Sequence, residues 1–331
     1  MTIQSMNSTS FTDLQVFGRC PRKFYYRTIV RIQPKKKAAY FRMGSLIHKL
    51  FELAALGTLY DMGAEIRNDP TLFADEVEER LAMLEDATRI VTAYFEYYQD
   101  DWDILHVEET FLIMLGTGEV ISFTPDLVVR DRNGFVWIVD RKSTTATPTD
   151  GLPFADLQSL LYYSGVKAVY PECRGFIFDR MRKKVPTQPR LTKTGDKRVA
   201  DLARIDTTYE ILRSFLETEA PDLLDNLDHR RRLAELKDNN RFFFRETVVV
   251  TDVQMANVLD DVAAQVSLVK LARENQLFPR VLQAGGMHGC DSCEMLKICS
   301  AELLGWDTQR VLDEYYEPRD DSYKEYEVED A

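Results

Sequence analysis

Hydrophobic residues recur every three or four positions near both ends of the chain and every second position in the middle. Ser10-x-x-Asp13 has the form of a helix-starting box. It leads into "LQVFGRCPRKFYYRTIV", where Leu14, Phe17 and Cys20 keep helical spacing. "FRMGSLIHKLFELAALGTLY" and residues 73–99 continue as helices. The period then shortens, and "ILHVEETFLIML", "EVISFTPDLVVRD", "FVWIVDRKS" and "RGFIFDRM" read as four strands. Between the last two lies "FADLQSLLYYSGVKAVY", an amphipathic helix. From about 205 the chain again reads as mostly helical, with Thr251-x-x-Gln254 opening a helix over 252–274. The pattern predicts an α/β fold: a small central sheet with a crossover helix, flanked by helical parts. No internal repeat or low-complexity linker interrupts it.

The middle of the chain also carries charge where apolar residues are expected. In "PDLVVRDRNGFVWIVDRKS" two apolar runs flank an Asp131–Gly134 turn signal, which predicts a hairpin. Alternation puts Asp140 and Lys142 on the face of Val136 and Ile138, and Arg141 on the other face. If the strands pair as they read, Asp126 lies beside Asp140. Two carboxylates so placed raise each other's pKa, and a divalent cation relieves the repulsion. A lysine alongside can orient or deprotonate water, or stabilise a developing anion. The plainer alternative is a surface Asp–Lys pair at a strand edge.

Three further groups have two readings each. Gln158 and Tyr162 share a helix face, so Gln158 could bond near the carboxylates and Tyr162 could meet a phosphate or base. Otherwise Tyr162 is core and Gln158 faces solvent. His48, in "GSLIHKLFEL", is either a partly buried helix histidine or a third metal ligand. Cys290-x-x-Cys293-x5-Cys299 reads as a metal site in a chain of five cysteines. Cys20 is the best fourth ligand, with His288 and Cys173 as alternatives. Zinc is the usual reading of Cys-x-x-Cys. The uneven spacing, one cysteine near the start and three near the end, suits a four-thiolate iron–sulfur cluster. Either would staple the ends of the chain.

Composition narrows the class. The 331 residues suffice for one large domain or two modest ones. No apolar run reaches membrane-spanning length, and "MTIQSMNSTSFTDLQ" does not have the form of a secretory signal. A cytoplasmic protein with no disulfide scaffold is expected. The net charge of −12 argues against nucleic acid as a partner. Its distribution weakens that objection: residues 313–331 hold nine acidic and two basic residues and are expected to be disordered. The body carries basic clusters at 34–37, 179–184 and 229–232, which permit an anion-binding groove. No Gly-x4-Gly-Lys-Ser/Thr motif is present, so a motor would have to be a partner.

Taken in order, these motifs resemble the RecB-like PD-(D/E)XK nucleases. They are closest to the iron–sulfur branch that includes CRISPR-associated adaptation exonucleases, AddB-type subunits and phage relatives. The resemblance covers residues 10 to about 305. "SFTDLQVFGRCPRKFYYRTI" looks like the N-terminal cysteine helix, and "GSLIHKLFE" like the histidine motif. Pro125-Asp126 followed by Asp140-Arg141-Lys142 resembles the PD…(D/E)XK core, "QSLLY" the QxxxY motif, and the C-terminal cysteines the cluster motif. Two departures, "FTPD" for a Gly-x-x-Asp stretch and "DRKS" for "DYKT", remove no catalytic group.

The resemblance implies a restriction-endonuclease-like mixed sheet flanked by helices. It implies one nuclease domain over 1–312, with helical parts at 10–100 and 205–305 around a sheet core at 101–184. It further implies Mg²⁺ or Mn²⁺ on His48, Asp126, Asp140 and the Arg141 carbonyl, with Lys142 readying water. Gln158 and Tyr162 would support the site and the DNA strand. Cys20, Cys290, Cys293 and Cys299 would hold a [4Fe–4S] cluster joining the two helical parts. The expected activity is a DNA exonuclease of recombination, repair or DNA processing. The alternative is a non-catalytic DNA-binding subunit of a helicase–nuclease or recombination complex.

Overall fold

The structure is a computed structural model that describes residues 9–35, 39–70, 72–116, 118–145, 157–192, 198–283 and 289–319. The chain opens with β1 (Thr9–Ser10), α1 (Phe11–Arg19), α2 (Pro21–Phe24), a π-helical turn over Tyr25–Val30 and β2 (Ile32–Pro34). Helices α3 (Ala39–Ala55), α4 (Met62–Asn68) and α5 (Ala74–Tyr97) follow. Strands β3 (Asp103–Val107), β4 (Phe111–Met114), β5 (Val120–Phe123), β6 (Leu127–Arg130) and β7 (Val136–Thr144) form the middle. Helix α6 (Leu157–Val169) crosses over to β8 (Cys173–Arg182). Then come α7 (Tyr209–Glu219), α8 (Leu227–Asp238), β9 (Phe243–Val249) and α9 (Asp252–Glu274). The last elements are α10 (Leu296–Leu304), α11 (Thr308–Tyr315) and β10 (Tyr316–Pro318).

Five strands make the central sheet in the order β3-β6-β7-β8-β9. Only the β7–β8 pair is parallel, as the α6 crossover between them requires. A second, three-stranded sheet has the order β1-β5-β4. One face of the central sheet presents Val128, Val136, Ile138, Phe176 and Phe178 to a core shared with α1, α6 and α9. On the other face Leu127, Val129, Val139 and Ile177 pack towards Ala55 and Trp102. Beside them, Ile47 and Phe51 of α3 and Ile90 and Tyr94 of α5 form a further core with Met181 and Phe243. A mixed sheet flanked by helices was the expectation, and it holds.

Several details differ from the sequence reading. The two long strand stretches each break in two. The first breaks at Glu108, in the left-handed region at φ 49°, and the second at Thr124–Pro125. Strand β9 lies in the stretch read as helical. Asn240 turns the chain into it, its Oδ1 accepting the N–H groups of Phe242 and Phe243 at 2.8 and 3.3 Å. Helix α6 is not amphipathic: Ser159 to Val166 are all buried. It sits between the two sheets, with Gly165 against Phe123 and Ile113. The capping signals are as read: Ser10 Oγ accepts from Asp13 N–H at 3.1 Å, and Thr251 and Gln254 form a reciprocal cap.

The expected disordered tail is corrected at its beginning. Residues 313–318 belong to α11 and β10, and β10 pairs antiparallel with β2. Tyr316 is buried with Tyr26, Ile32, Met295 and Ile298. Residues 320–331 lie outside the described residues. The first turns of the chain are thus clasped to the last by a sheet and a small core. Ion pairs Arg22–Glu302 and Lys23–Glu294, both at 3.1 Å, reinforce them.

Candidate active site

The hairpin forms because Asp131 organises its turn. Its Oδ1 accepts the N–H groups of Asn133 and Phe135, at 2.8 and 3.0 Å. Its Oδ2 accepts Trp137 Nε1 at 3.0 Å, and Gly134 takes φ 82°. The turn fixes the register Leu127↔Val139 and Val128↔Ile138. The next rung therefore sets Asp126 opposite Asp140, on the face shared with α6. Neither is at a sheet edge, because β7 is the central strand. Their side chains are only 15 % and 13 % exposed. A surface Asp–Lys pair at a strand edge is therefore excluded.

Asp126 Oδ2 accepts the Arg141 backbone N–H at 2.6 Å. Burial pushes the Asp126 carboxyl up to about 6, against that bond and the nearby cations Arg141 and Lys142. Lys142 Nζ stands 3.5 Å from Asp140 Oδ2. Arg141 faces the other way, its guanidinium 4.4 Å from the Phe51 ring centre and buried. Only its backbone faces the carboxylates. His48 enters from α3, with Nδ1 3.8 Å from Asp126 Oδ2. Burial pushes its imidazole down to about 4, although Asp140 pulls it up, so it is neutral at physiological pH. Gly44, one helical turn before it, brings α3 close: a Cβ there would meet Ser143 Oγ at 3.2 Å and Lys183 Nζ at 3.5 Å.

Two residues of this neighbourhood were not assigned to the site from sequence, although Lys183 falls in the basic cluster at 179–184. Glu108 follows β3, and its N–H donates to the Asp126 carbonyl at 3.1 Å. It occupies the rung next to Asp126, and its side chain bonds to Asp126 and helps hold the proton off that carboxylate. Glu108, Asp126 and Asp140 thus stand in one row across three strands. Lys183 is the second, close to His48 across Gly44. The sequence signal for Glu108 was a charge inside an apolar run, the same signal that marked Asp140.

Gln158 and Tyr162 lie at the first turns of α6. Lys167, further along, donates to the carbonyl of Cys173 at the start of β8, so α6 runs back along the sheet. Its N-terminal end faces the carboxyl ends of β7 and β8. Gln158 Nε2 donates to Tyr162 OH at 2.9 Å. Tyr162 is core, stacked on Phe123 at 4.6 Å and edge-on to Phe11 at 6.2 Å. Of the two readings of Tyr162, the packing is that of a core residue.

The donors suit a hard divalent cation: two largely buried carboxylates and a neutral imidazole. Among the described residues, no three His, Cys, Asp or Glu side chains converge into a finished ligating group. In this structure the Lys142 ammonium is the cation against Asp140.

Of the four cysteines expected to hold a cluster, Cys293 and Cys299 pack in the small core of the clasp between the first and last described elements. Cys20 separates α1 from α2 and lies close enough to Cys293 to act on its thiol. Burial raises the Cys293 thiol. Cys299 packs beside Tyr26 and receives a bond from Arg280. Cys290 Sγ donates to the Val281 carbonyl at 3.6 Å. Among the described residues no three of these thiols form a group that could hold a metal ion. Of the alternatives, Cys173 is buried in the main core with no part in the clasp, and His288 lies outside the described residues.

The basic clusters are mostly neutralised locally. Arg182 and Lys184 share Asp206, at 3.1 and 2.6 Å, and Arg232 pairs with Glu235 at 3.0 Å. Asp179 is fully buried on Arg245 and Tyr94, and His229 is buried at the Val199 N–H. Lys36 and Lys37 lie outside the described residues. The expected groove is therefore not a band of free cations.

Residues 8–300 match the profile of the PD-(D/E)XK nuclease superfamily. The chain belongs to that superfamily. No curated protein matches it. Among solved structures it is similar to a candidate exonuclease from Eubacterium rectale, 15 % identical with a TM-score of 0.37, over 78 % of this chain and 93 % of that one. It is also similar to the protein SSO0001, 16 % identical with a TM-score of 0.26, over 67 % and 79 % of the two chains. Both scores are below 0.5, so neither likeness bears on fold detail or function.

Proposed function

We propose that this chain is a metal-dependent deoxyribonuclease that hydrolyses phosphodiester bonds at DNA ends. It would belong to the RecB-like branch and act in recombination, repair or DNA processing. The observation that carries the reading is the Asp126–Asp140 pair, nearly buried on the central strands, with Lys142 3.5 Å from one and His48 3.8 Å from the other. Asp126, Asp140 and His48 would hold Mg²⁺ or Mn²⁺, with the Arg141 carbonyl as a further oxygen donor. When bound, the cation supplies charge neutralisation at the phosphate and acidity to a water. Lys142 holds and orients the attacking water and balances the charge developing on the phosphate oxygens. The Arg141 N–H fixes the rotamer of Asp126. Gln158 and Tyr162 brace the start of α6, whose dipole favours a phosphate at that end.

The same reading includes a [4Fe–4S] cluster on Cys20, Cys290, Cys293 and Cys299. Its support is the packing of Cys293 and Cys299 in the small core of the clasp, with Cys20 close to Cys293, beside the cations of Lys23 and Arg280. Its position would be structural, joining the two helical parts.

Anaerobically purified protein, incubated with end-labelled linear single- and double-stranded DNA and Mg²⁺ or Mn²⁺, should degrade it. Asp140→Ala and Lys142→Ala should lose at least about a hundredfold in rate. The same preparation should carry iron and absorb in the visible, and Cys293→Ala should bleach it. A colourless, iron-free and active wild type would remove the cluster and leave the nuclease. An iron-loaded, inactive wild type would favour a DNA-binding subunit that serves a partner helicase.

A further inference from the structure

Helices α7 and α8 pack together through Leu212, Leu216 and Leu236. Between them lies an open groove of about 370 Å³, within the range of small-ligand sites. Tyr209, Leu224 and Leu233 form its apolar part, and Arg213, Arg230 and Lys237 bring three cations to it. Glu217 is the carboxylate of the lining, and it accepts from Arg213 Nε at 2.8 Å. Arg232, in the same basic cluster as Arg230, is tied to Glu235 and to the Ile205 carbonyl, at 3.0 and 2.8 Å. Arg230 and Lys237 differ: both are exposed, and among the described residues neither is held in an ion pair. Lys237 Nζ stands 6.0 Å from the Tyr209 ring centre and the Arg213 guanidinium 5.8 Å. The groove is thus net positive in a chain of net charge −12. It begins at the end of the central sheet that carries the carboxylates. β7 and β8 are parallel, with Lys142 opposite Arg180 and Thr144 opposite Arg182. Arg182 pairs with Asp206 at 3.1 Å, just before Thr208 caps α7, and Ile211 of α7 packs with Met181 of β8. Tyr209 at the start of α7 and Lys237 in the last turn of α8 therefore mark the near end of the groove. Arg230 lies two turns back along α8, about 10 Å further out.

We infer that the α7–α8 groove holds an unpaired DNA strand on its way to or from the Asp126–Asp140 site. The inference rests on the nuclease reading of that site and adds the track that positions its substrate. Cations spaced along one helix meet successive phosphates of a strand more readily than one free anion. Arg230 offers a planar fork of donors that matches phosphate oxygens, and Lys237 a point charge. The apolar part between them suits bases, which stack on rings and apolar side chains only where they are not paired. In a duplex the bases are covered, and that part of the groove would meet nothing. Arg230 and Lys237 are substrate-positioning residues: they act on where the strand lies and not on the water.

The test measures affinity apart from cleavage. Labelled oligothymidines of about 5 and about 20 nucleotides are titrated with the full chain in Ca²⁺ at several salt concentrations. Turnover is measured separately in Mg²⁺ or Mn²⁺. The wild type should bind the long oligomer more tightly than the short one. In the double variant Arg230→Gln, Lys237→Gln that advantage should fall about tenfold, and the slope of log affinity against log salt on the long oligomer should flatten by about 1.4. Arg230→Lys with Lys237→Arg keeps both charges and should restore most of the advantage. Both positions are exposed, and thermal transitions of the variants show whether the fold persists. Cleavage by the wild type, with the length advantage and salt slope unchanged in the double variant, would overturn the inference and leave the nuclease reading standing. Equal weakening on both lengths would mark a general loss of positive charge and overturn it as well. So would an oligoglutamate that competes as well as an oligothymidine of the same charge, since the groove would then suit acidic peptides. Length-dependent binding that the double variant loses, without any cleavage by the wild type, would support the groove and remove the nuclease reading.

Discussion

Asp126 has the most to show about a bound cation. Burial favours its neutral form, with a pKa of about 6 against the ordinary carboxylate range. The folded state therefore binds a proton that the unfolded state has released. The stability this gives is present at low pH and is lost as pH rises towards and through about 6. A divalent cation needs the ionised form, so its binding becomes more favourable over the same interval. His48 does not oppose this, because its imidazole is neutral above about 4. The rise in melting temperature on adding Mn²⁺ should be small near about pH 5 and larger near about pH 7.5. An equal rise at both would place the cation away from Asp126. The alternation of Ile138, Asp140 and Lys142 made their common face legible in sequence. The pairing with Glu108 was not, because it depends on β3 lying beside β6.

At the scale of elements, α6 decides whether the site is held in place. It leaves no face to solvent over Ser159–Val166 and is wedged between the central sheet and the β1-β5-β4 sheet. Gly165 makes the wedge possible. A Cβ there would fall 2.5 Å from Phe123 Cζ and 2.9 Å from Ile113 Cγ1. Phe123 cannot easily yield, because it is stacked between Phe111 and Tyr162. Gly165→Ala should cost about 1–3 kcal/mol in denaturant unfolding. It should also lower activity through displacement of Gln158 and Tyr162. A variant as stable as the parent would mean that α6 can shift without loss. The sequence made the helix plain but misread its surroundings: Ser, Tyr and Gly among apolar residues look like a polar side, and here they are small or ring-bearing contacts. β9 was missed for a related reason. Its "FFRETVV" is short and lies between helices, and its partner β8 is about sixty residues earlier.

For the whole molecule, the clasp between chain ends matters most. Tyr316 is buried against Tyr26 and Ile298 and donates through its hydroxyl to the Glu294 carbonyl at 2.9 Å. β10 closes on β2. Removing residues 320–331 should leave the melting transition unchanged. Removing everything from Thr308 exposes that small core and should lower stability by about 2–5 kcal/mol. Equal stability of the two truncations, measured by thermal and chemical unfolding, would show the clasp to be dispensable. No described helix is long and apolar enough to cross a membrane.

The sequence by itself determined what is local: the helix caps at Ser10 and Thr251, the Asp131–Gly134 turn, and the alternation that carries Asp140 and Lys142 to one face. Each follows from the conformational preferences of a few neighbouring residues, so a short stretch suffices to fix it. The tertiary structure decided what depends on distant partners. It put Glu108 in line with Asp126, Arg180 beside Lys142, α6 in a dry wedge, and the C-terminal strand against the N-terminal one. Burial then set the charge states, lifting the Asp126 carboxyl and keeping His48 neutral. Desolvation belongs to the packed whole and has no counterpart in any stretch of sequence.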